Sequence, residues 1–342
     1  MRKQFVAALT LLVATAADAC TTAIDLDPER PIVAYNYDFP IGQGLVLINK
    51  RGVGKASGAG AGAATWRSRY GSVTFVQFGR DNPMTGMNEA GLVVSQMWLD
   101  AARYEEPDGR PPIGVLEWMQ YLLDTAATVE EALDRAGEVR VQSSVPLHYA
   151  LVARDGRATV VEFLGGVRVV HRGDALPHAA LANSTYADSL SYLASLDGSA
   201  APDGTASLAR FARAAIGIKS PAPSDPVERA FETLRAVEQP GQTRWSVVHD
   251  PRNLVVRWRS NLNGMIRSAD LASFDLSCGT PVQVLDVHAG GGEVGRLFVD
   301  YTSAANEALV LSSYAQTSFL APLGREAALA AARLPEESRC TE

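Results

Sequence analysis

The chain has little of what metal, cofactor and nucleic-acid chemistry rests on. Among 342 residues there are only 3 cysteines and 5 histidines. None of His148, His171, His178, His249 and His288 pairs with another across a helical turn around a glutamate, and none shares a spacing with a cysteine, so no metal set is expected. Lys+Arg number 31 against 38 Asp+Glu, a net charge of −7, so the clustered positive field that draws nucleic acid is missing and no such partner is expected. Apart from the extreme N-terminus no apolar run reaches the roughly 18–20 residues of a membrane-spanning helix. Repeats and convincing domain boundaries are also missing. The string Gly290-Gly291-Gly292-Glu293-Val294-Gly295 follows a strand-like segment, Val282 to Val287. It runs into strand-like Leu297-Phe298-Val299 where a phosphate-binding helix should start, so a hairpin turn is expected there and no dinucleotide cofactor. With 47% hydrophobic and 20% charged residues, the chain has ample material for one large core.

Met1-Arg2-Lys3 precedes an apolar run from Phe5 to Ala14 and then Ala17-Asp18-Ala19, the pattern of a cleavable secretory leader. The expected organisation is a signal peptide at 1–19 and a single domain at 20–342, periplasmic or secreted. Cleavage would make Cys20 the first residue. A thiol beside a free α-amine carries its own base, because an amine of pKa about 7.7–8 takes a thiol proton near neutral pH. Two other uses of Cys20 are open. It could be a lipid-bearing cysteine, although Ala17 stands where such motifs carry Leu. It could also belong to a disulfide, although three cysteines leave one over, and Cys278 with Cys340 is the pairing that leaves Cys20 free.

Alternating or apolar segments at 32–37 and 45–48, on either side of Asp38-Phe39-Pro40, read as strands of a meander. Further strands are expected at 73–78, 92–97, 149–153, 159–163 and 167–170. Residues 245–248 and 254–258 should form a hairpin around Asp250-Pro251-Arg252-Asn253. Ile113 to Ala136 has the spacing of two helices, and Ser207 to Ile216 of another. Ser57 to Ala64 is all Ser, Gly and Ala and reads as a flexible surface loop without chemistry. Strands in two groups separated by helices fit a layered α+β domain better than a parallel βαβ sheet. Asn183-Ser184-Thr185 matches a glycosylation acceptor, a motif short enough to arise by chance.

Six strings in order carry more. They are Cys20-Thr21, Asn36-Tyr37-Asp38-Phe39, Asn49-Lys50-Arg51-Gly52-Val53, Gly86-Met87-Asn88-Glu89-Ala90-Gly91-Leu92, Leu181-Ala182-Asn183-Ser184 and Ala209-Arg210-Phe211. Together they resemble the choloylglycine hydrolase family of linear amide hydrolases, which includes bile salt hydrolases and penicillin V acylases, with acyl-homoserine-lactone acylases among its relatives. The resemblance covers roughly 20–250, and a strand-rich tail to Ala315 is compatible with it. It implies a four-layer αββα sandwich of the N-terminal-nucleophile type. It also implies that Cys20 is the nucleophile and that Asp38 holds its amine. Asn183 and the backbone N–H of Trp98 would form the oxyanion site, and Arg210 the charged network. Tyr35, Phe39 and Met97 would line the substrate site. Asn88 and Glu89 are read as scaffold. Tyr35 departs from the family, which has Arg or Lys there to lower the thiol pKa. The expected activity is cleavage of a small-molecule linear amide with an apolar acyl group, such as a conjugated bile acid, penicillin V or an acyl-homoserine lactone. It would proceed through a thioester, without cofactor, in a possible homotetramer. The alternative is a binding protein on the same fold with weakened catalysis.

Overall fold

The computed structural model describes residues 20–200 and 203–341, so the leader reading at 1–19 lies outside the described residues. Two sheets carry the architecture. The first has seven strands, in spatial order Ala180–Leu181, Thr21–Asp25, Ile32–Asp38, Thr243–Asp250, Val255–Ser260, Asn263–Asp270 and Gly292–Glu293. The second has nine, in the order Val167–Arg172, Ala158–Leu164, Leu147–Val152, Val93–Trp98, Pro83–Asn88, Ser72–Val76, Leu45–Asn49, Gln283–Asp286 and Val299–Asp300. Helix α1 (Val115–Thr125) covers the outer face of the second sheet, with α2 (Val129–Glu138) against it. On the first sheet lie α4 (Ser207–Gly217) and α5 (Pro226–Ala236), with α3 (Tyr186–Ser195) beside α4. The result is an α+β sandwich of four layers, helix, sheet, sheet, helix, the N-terminal-nucleophile hydrolase fold.

The sequence builds these layers by simple periodicity. In Ile32–Asp38 every residue is buried, and successive side chains take opposite faces. Asn36 points at the helices, its Nδ2 donating to the Leu234 carbonyl of α5 at 2.8 Å, while Tyr35 and Tyr37 point between the sheets. There the core is closed by aromatic contacts such as Phe75 of the second sheet against Trp258 of the first, edge-to-face at 5.4 Å. Each large apolar side chain fully buried in this layer contributes roughly 1.5–3 kcal/mol. Helix α1 seats closely because Gly86 has no Cβ, which would stand 2.9 Å from Leu123 Cδ1 and 2.8 Å from Thr74 Cγ2. Asn88 donates to the carbonyls of Leu123 and Ala126 at the end of α1, and Glu89 Oε1 accepts from Gly71, so both serve as scaffold. Thr128 and Asp225 cap α2 and α5, each cap worth about 1 kcal/mol.

Four local expectations are corrected. Asp38-Phe39-Pro40 is no hairpin turn, because the strands on its two sides belong to different sheets and the chain crosses the sandwich there. Gly290 to Gly295 is likewise a crossing: Gln283–Asp286 pairs in the second sheet, whereas Gly292–Glu293 runs parallel to Asn263–Asp270 in the first. Local pattern gives strand existence but not strand partner, which is where both readings failed. Ser57 to Ala64 is anchored at both ends, with Ser57 bonded to Glu117 of α1 and the Ala64 carbonyl taking the Ser57 N–H at 2.9 Å. The tail is strand-rich as expected only as far as Asp300; from Ser303, where strands were expected on to Ala315, it is helical, with α6 (Ser303–Gln316) packed on α7 (Gly324–Arg333). Cys278 and Cys340 are joined in a disulfide, which fastens the strand Arg339–Cys340 beside Val53–Ala56. Among the described residues no helix is long and apolar enough to cross a membrane.

Candidate active site

Cys20 directly precedes Thr21–Asp25, and the alternation of that strand sends its side chain between the sheets, on the face shared by Thr22 and Tyr35. It is buried and lies outside the disulfide that joins the other two cysteines. The Tyr35 hydroxyl donates to its Sγ at 3.4 Å. Burial and the neighbouring thiol hold that hydroxyl well above the usual tyrosine range, so it remains a donor throughout ordinary pH.

Arg210 is the hub. It projects from α4 and is 1% exposed. Its Nη1 donates to the Cys20 carbonyl at 3.0 Å and to the Thr21 hydroxyl, and its Nη2 to Asn183 Oδ1 at 2.6 Å. A guanidinium serves here because its planar fork reaches these acceptors, and the Thr205 carbonyl from Nε at 3.0 Å, while keeping its charge. Burial draws its pKa down, and Asp38 and Cys20 hold it up. Asn183 is fixed from two further sides: its N–H donates to Ser207 Oγ at 2.8 Å and its Nδ2 to the Trp98 carbonyl at 2.8 Å.

Asp38, at the end of Ile32–Asp38, is 1% exposed. Its carboxylate accepts from the Thr243 hydroxyl and from Gln239 Nε2, the latter at 2.8 Å. Burial raises its pKa from 3.8 to about 6, against the opposing pull of Thr243, Gln239 and Arg210. Thr243 and Gln239 are the partners that sequence reasoning missed. They stand about 200 positions from Asp38, and no local pattern announces such a contact.

A cavity of about 610 Å³ opens beside Cys20. Its walls carry Tyr37, Phe39, Phe78 and Trp98 from the body of the fold, with Tyr314 and Phe319 from α6 and the turn after it. Among the described residues no Lys, Arg or His lines it, and its carboxylate is Glu117, engaged by Ser57 and by the N–H groups of Gly58 and Gly114 at 2.9 and 3.0 Å. Gly58 and Ala59, read from sequence as inert loop, are part of its wall. Of the residues expected to bind substrate, Phe39 lines the cavity. Tyr35 and Met97 do not: both are fully buried beneath it, Met97 with its sulfur taking the Thr22 hydroxyl at 3.0 Å.

Trp98 ends its strand. The bond from the Leu99 N–H to the Pro146 carbonyl, 3.0 Å, sets the phase of the ladder with Leu147–Val152, so the N–H and C=O of Trp98 face away from that strand, toward Asn183. Its indole donates to Asp100 at 2.6 Å and packs on Phe319 with ring centroids 5.7 Å apart.

The structure therefore brings Cys20, Asp38, Asn183, Arg210 and Trp98 together, with Cys20 and Trp98 lining an apolar cavity. Comparison with known proteins identifies the family. Residues 20–229 match the family described as linear amide C–N hydrolases, choloylglycine hydrolase family. A penicillin V acylase of Pectobacterium atrosepticum is 27% identical over 332 residues, covering 80% of this chain and 88% of that protein. The penicillin V acylase structure from Agrobacterium tumefaciens superposes with a TM-score of 0.72 at 26% identity, over 83% of this chain and 98% of that one. A variant of the conjugated bile acid hydrolase of Clostridium perfringens shares the fold, at TM-score 0.66 and 15% identity, over 80% of this chain and 98% of that one. This chain belongs to the choloylglycine hydrolase family and is a hydrolase of linear amide carbon–nitrogen bonds.

Proposed function

We propose that the protein is exported, is cleaved before Cys20, and hydrolyses a small linear amide with a neutral, apolar acyl group through a thioester. The observation that carries this reading is the placement of the Cys20 thiol between the Asp38–Arg210–Asn183 network and a cavity without a lining cation. The Cys278–Cys340 disulfide supports an oxidising compartment.

The freed α-amine takes the thiol proton, and Asp38 holds the resulting ammonium. The thiolate attacks the amide carbon, and the negative charge that develops on oxygen is met by Asn183 and by the Trp98 N–H; such a donor is commonly worth about 2.7–4 kcal/mol in the transition state. The ammonium returns its proton to the departing amine as the C–N bond breaks, leaving a thioester. Water, deprotonated by the same amine, attacks that thioester, and acid and thiol are released. Tyr35 supplies a hydrogen bond to the sulfur where relatives place a full charge, so thiolate formation depends more heavily on the amine.

The acyl half enters the aromatic cavity, as apolar ligands commonly do. An anionic acyl group would find no Lys, Arg or His among the described residues of its walls. Phenoxyacetyl and fatty acyl amides are therefore the favoured classes, and the amine half remains outside. The first test is intact mass and N-terminal sequence of protein from an exporting host, followed by an amide panel. A chain starting at unmodified Cys20 that releases acid from apolar acyl amides supports the reading. A lipid adduct on Cys20 overturns it.

A further inference from the structure

The mechanism above leaves unused a buried cluster of two histidines and a glutamate. His148 lies in the strand Leu147–Val152, opposite Met97 and next to the pair Leu147–Trp98, and is fully buried. Its Nε2 is 2.8 Å from the carbonyl of Ala182, the residue before Asn183. Its Nδ1 is 3.2 Å from Glu162 Oε1. Glu162, also fully buried, accepts the Tyr186 N–H at the start of α3 at 2.9 Å, and its Oε2 takes His171 Nε2 at 3.0 Å.

The acceptor pattern fixes the protons. A carbonyl only accepts, so Nε2 of His148 carries hydrogen. Burial pushes the Glu162 carboxyl up, but His148, the Tyr186 N–H and His171 together bring it below its ordinary value, so it too accepts. His148 therefore bridges the two sheets, its Nε2–H donating to the main-chain carbonyl just past the strand Ala180–Leu181 of the first while its Nδ1 lies against Glu162 in the second. Such a pair is no cheap source of stability, since an apolar pair of similar volume commonly does as well or better. What it offers is direction. It fixes the peptide that bears Asn183, the residue that Arg210, Ser207 and Trp98 fix on its other sides.

We propose that His148, paired with Glu162, is a positioning residue that aims the Asn183 amide at the reacting carbonyl by holding the Ala182–Asn183 peptide. The proposal rests on the oxyanion role given to Asn183 above. It adds to that role a link between sheets: His148 and Trp98, whose carbonyl meets Asn183 directly, both lie in the second sheet.

The two ring nitrogens make the test possible. In His148→Gln the amide nitrogen replaces Nε2 and keeps a donor for Ala182. In His148→Asn the shorter amide faces Glu162 and leaves Ala182 without its partner. Expected is an about tenfold loss of kcat in His148→Asn, with KM within about twofold, and recovery to within about threefold of wild type in His148→Gln. A role in stability alone, through the Glu162 pair, predicts the reverse order and overturns the proposal. In an Asn183→Ala background the His148→Asn change should cost less than about twofold more, and a full additional tenfold loss also overturns it. Should His148→Asn not fold, Glu162→Gln weakens the clamp from its outer side: an about threefold loss of kcat at unchanged KM is expected, and wild-type kcat overturns the proposal. If Asn183→Ala alone leaves turnover unchanged, the oxyanion reading fails rather than the link to His148.

Discussion

The floor and the roof of the cavity are built on opposite principles. The floor around Cys20 is polar and tightly bonded: Arg210, Asp38 and Asn183 are each held by two or more partners drawn from the first sheet, its helices and Trp98 of the second. The roof, from α6 to the residue after α7, presents mostly apolar side chains, Tyr314, Phe319, Leu320 and Leu334. Directional bonds fix atoms to fractions of an ångström, as bond making requires, whereas apolar walls set only shape and tolerate volume-conserving exchange. The difference teaches that rate and substrate choice are separable in this molecule, and the following experiments would break or sharpen that division.

The largest effect is expected at Cys20, the proposed nucleophile. Cys20→Ser should lower turnover by more than about 10³-fold while leaving ligand affinity for the cavity near wild type. Acid release measured beside equilibrium binding of the apolar acid product checks both halves, and lost binding would show that floor and roof are not separable.

Asp38 should reveal what the floor costs in stability. Its pKa is about 6 in the folded chain against 3.8 for the free group, so between those values the folded state binds more protons than the unfolded one. Stability should then fall as pH rises from about 4 to 6, by up to about 3 kcal/mol, and stay low above. Activity should rise over the same span as the carboxylate forms. Asp38→Asn should flatten the stability slope, raise the melting temperature at neutral pH and depress kcat. Melting curves at stepped pH would show this, and an unchanged slope would remove Asp38 from the account.

Phe319→Ala tests the roof. It removes an aromatic wall that packs on Trp98, and KM for an apolar acyl amide should rise at least about tenfold with kcat little changed, since even one methylene of lost pocket contact is worth roughly 1–3 kcal/mol. Initial rates over a substrate series are sufficient, and a fall in kcat larger than the rise in KM would mean that the roof takes part in aiming the amide. The smallest effect is expected for Tyr35→Phe, which deletes one hydrogen bond to the sulfur. A two- to tenfold fall in kcat/KM is expected, about the worth of a single neutral bond. An unaltered rate of thiol alkylation across pH would show that the bond does not tune the sulfur.

The same division explains how far the sequence could be read. The floor was legible because its residues sit in short ordered strings, Cys20-Thr21, Asp38-Phe39, Ala182-Asn183-Ser184 and Ala209-Arg210, whose type and order survive as pattern. The helix pair α1 and α2 and the hairpin at 243–260 were legible from periodicity and turn residues. The roof was not. Helix α6 has weak amphipathic contrast, with Ser, Ala and Leu on all sides, so no stripe stands out at helical spacing. Gly58 has no side chain and Ala59 only a methyl to declare a role; Gly58 is placed by Glu117 and Leu334, and Ala59 by Gln142 and Ser57. Thr243, Gln239 and the His148–Glu162 pair depend on partners distant in the chain or across a sheet. Single-sequence patterns register neither.

Arg210 grips Cys20 by its carbonyl, and the adjoining bonds run to the Thr21 hydroxyl and to Asn183 Oδ1. Each of these groups is the same whether the Cys20 nitrogen is an amide or an amine. If the leader is removed as proposed, maturation is then a change of chemistry rather than of shape: the precursor resembles a loaded mechanism with its trigger withheld. A chain kept blocked at Cys20 should bind the acyl group as the mature enzyme does and remain inert, which makes it a natural, wild-type side-chain trap for identifying the substrate.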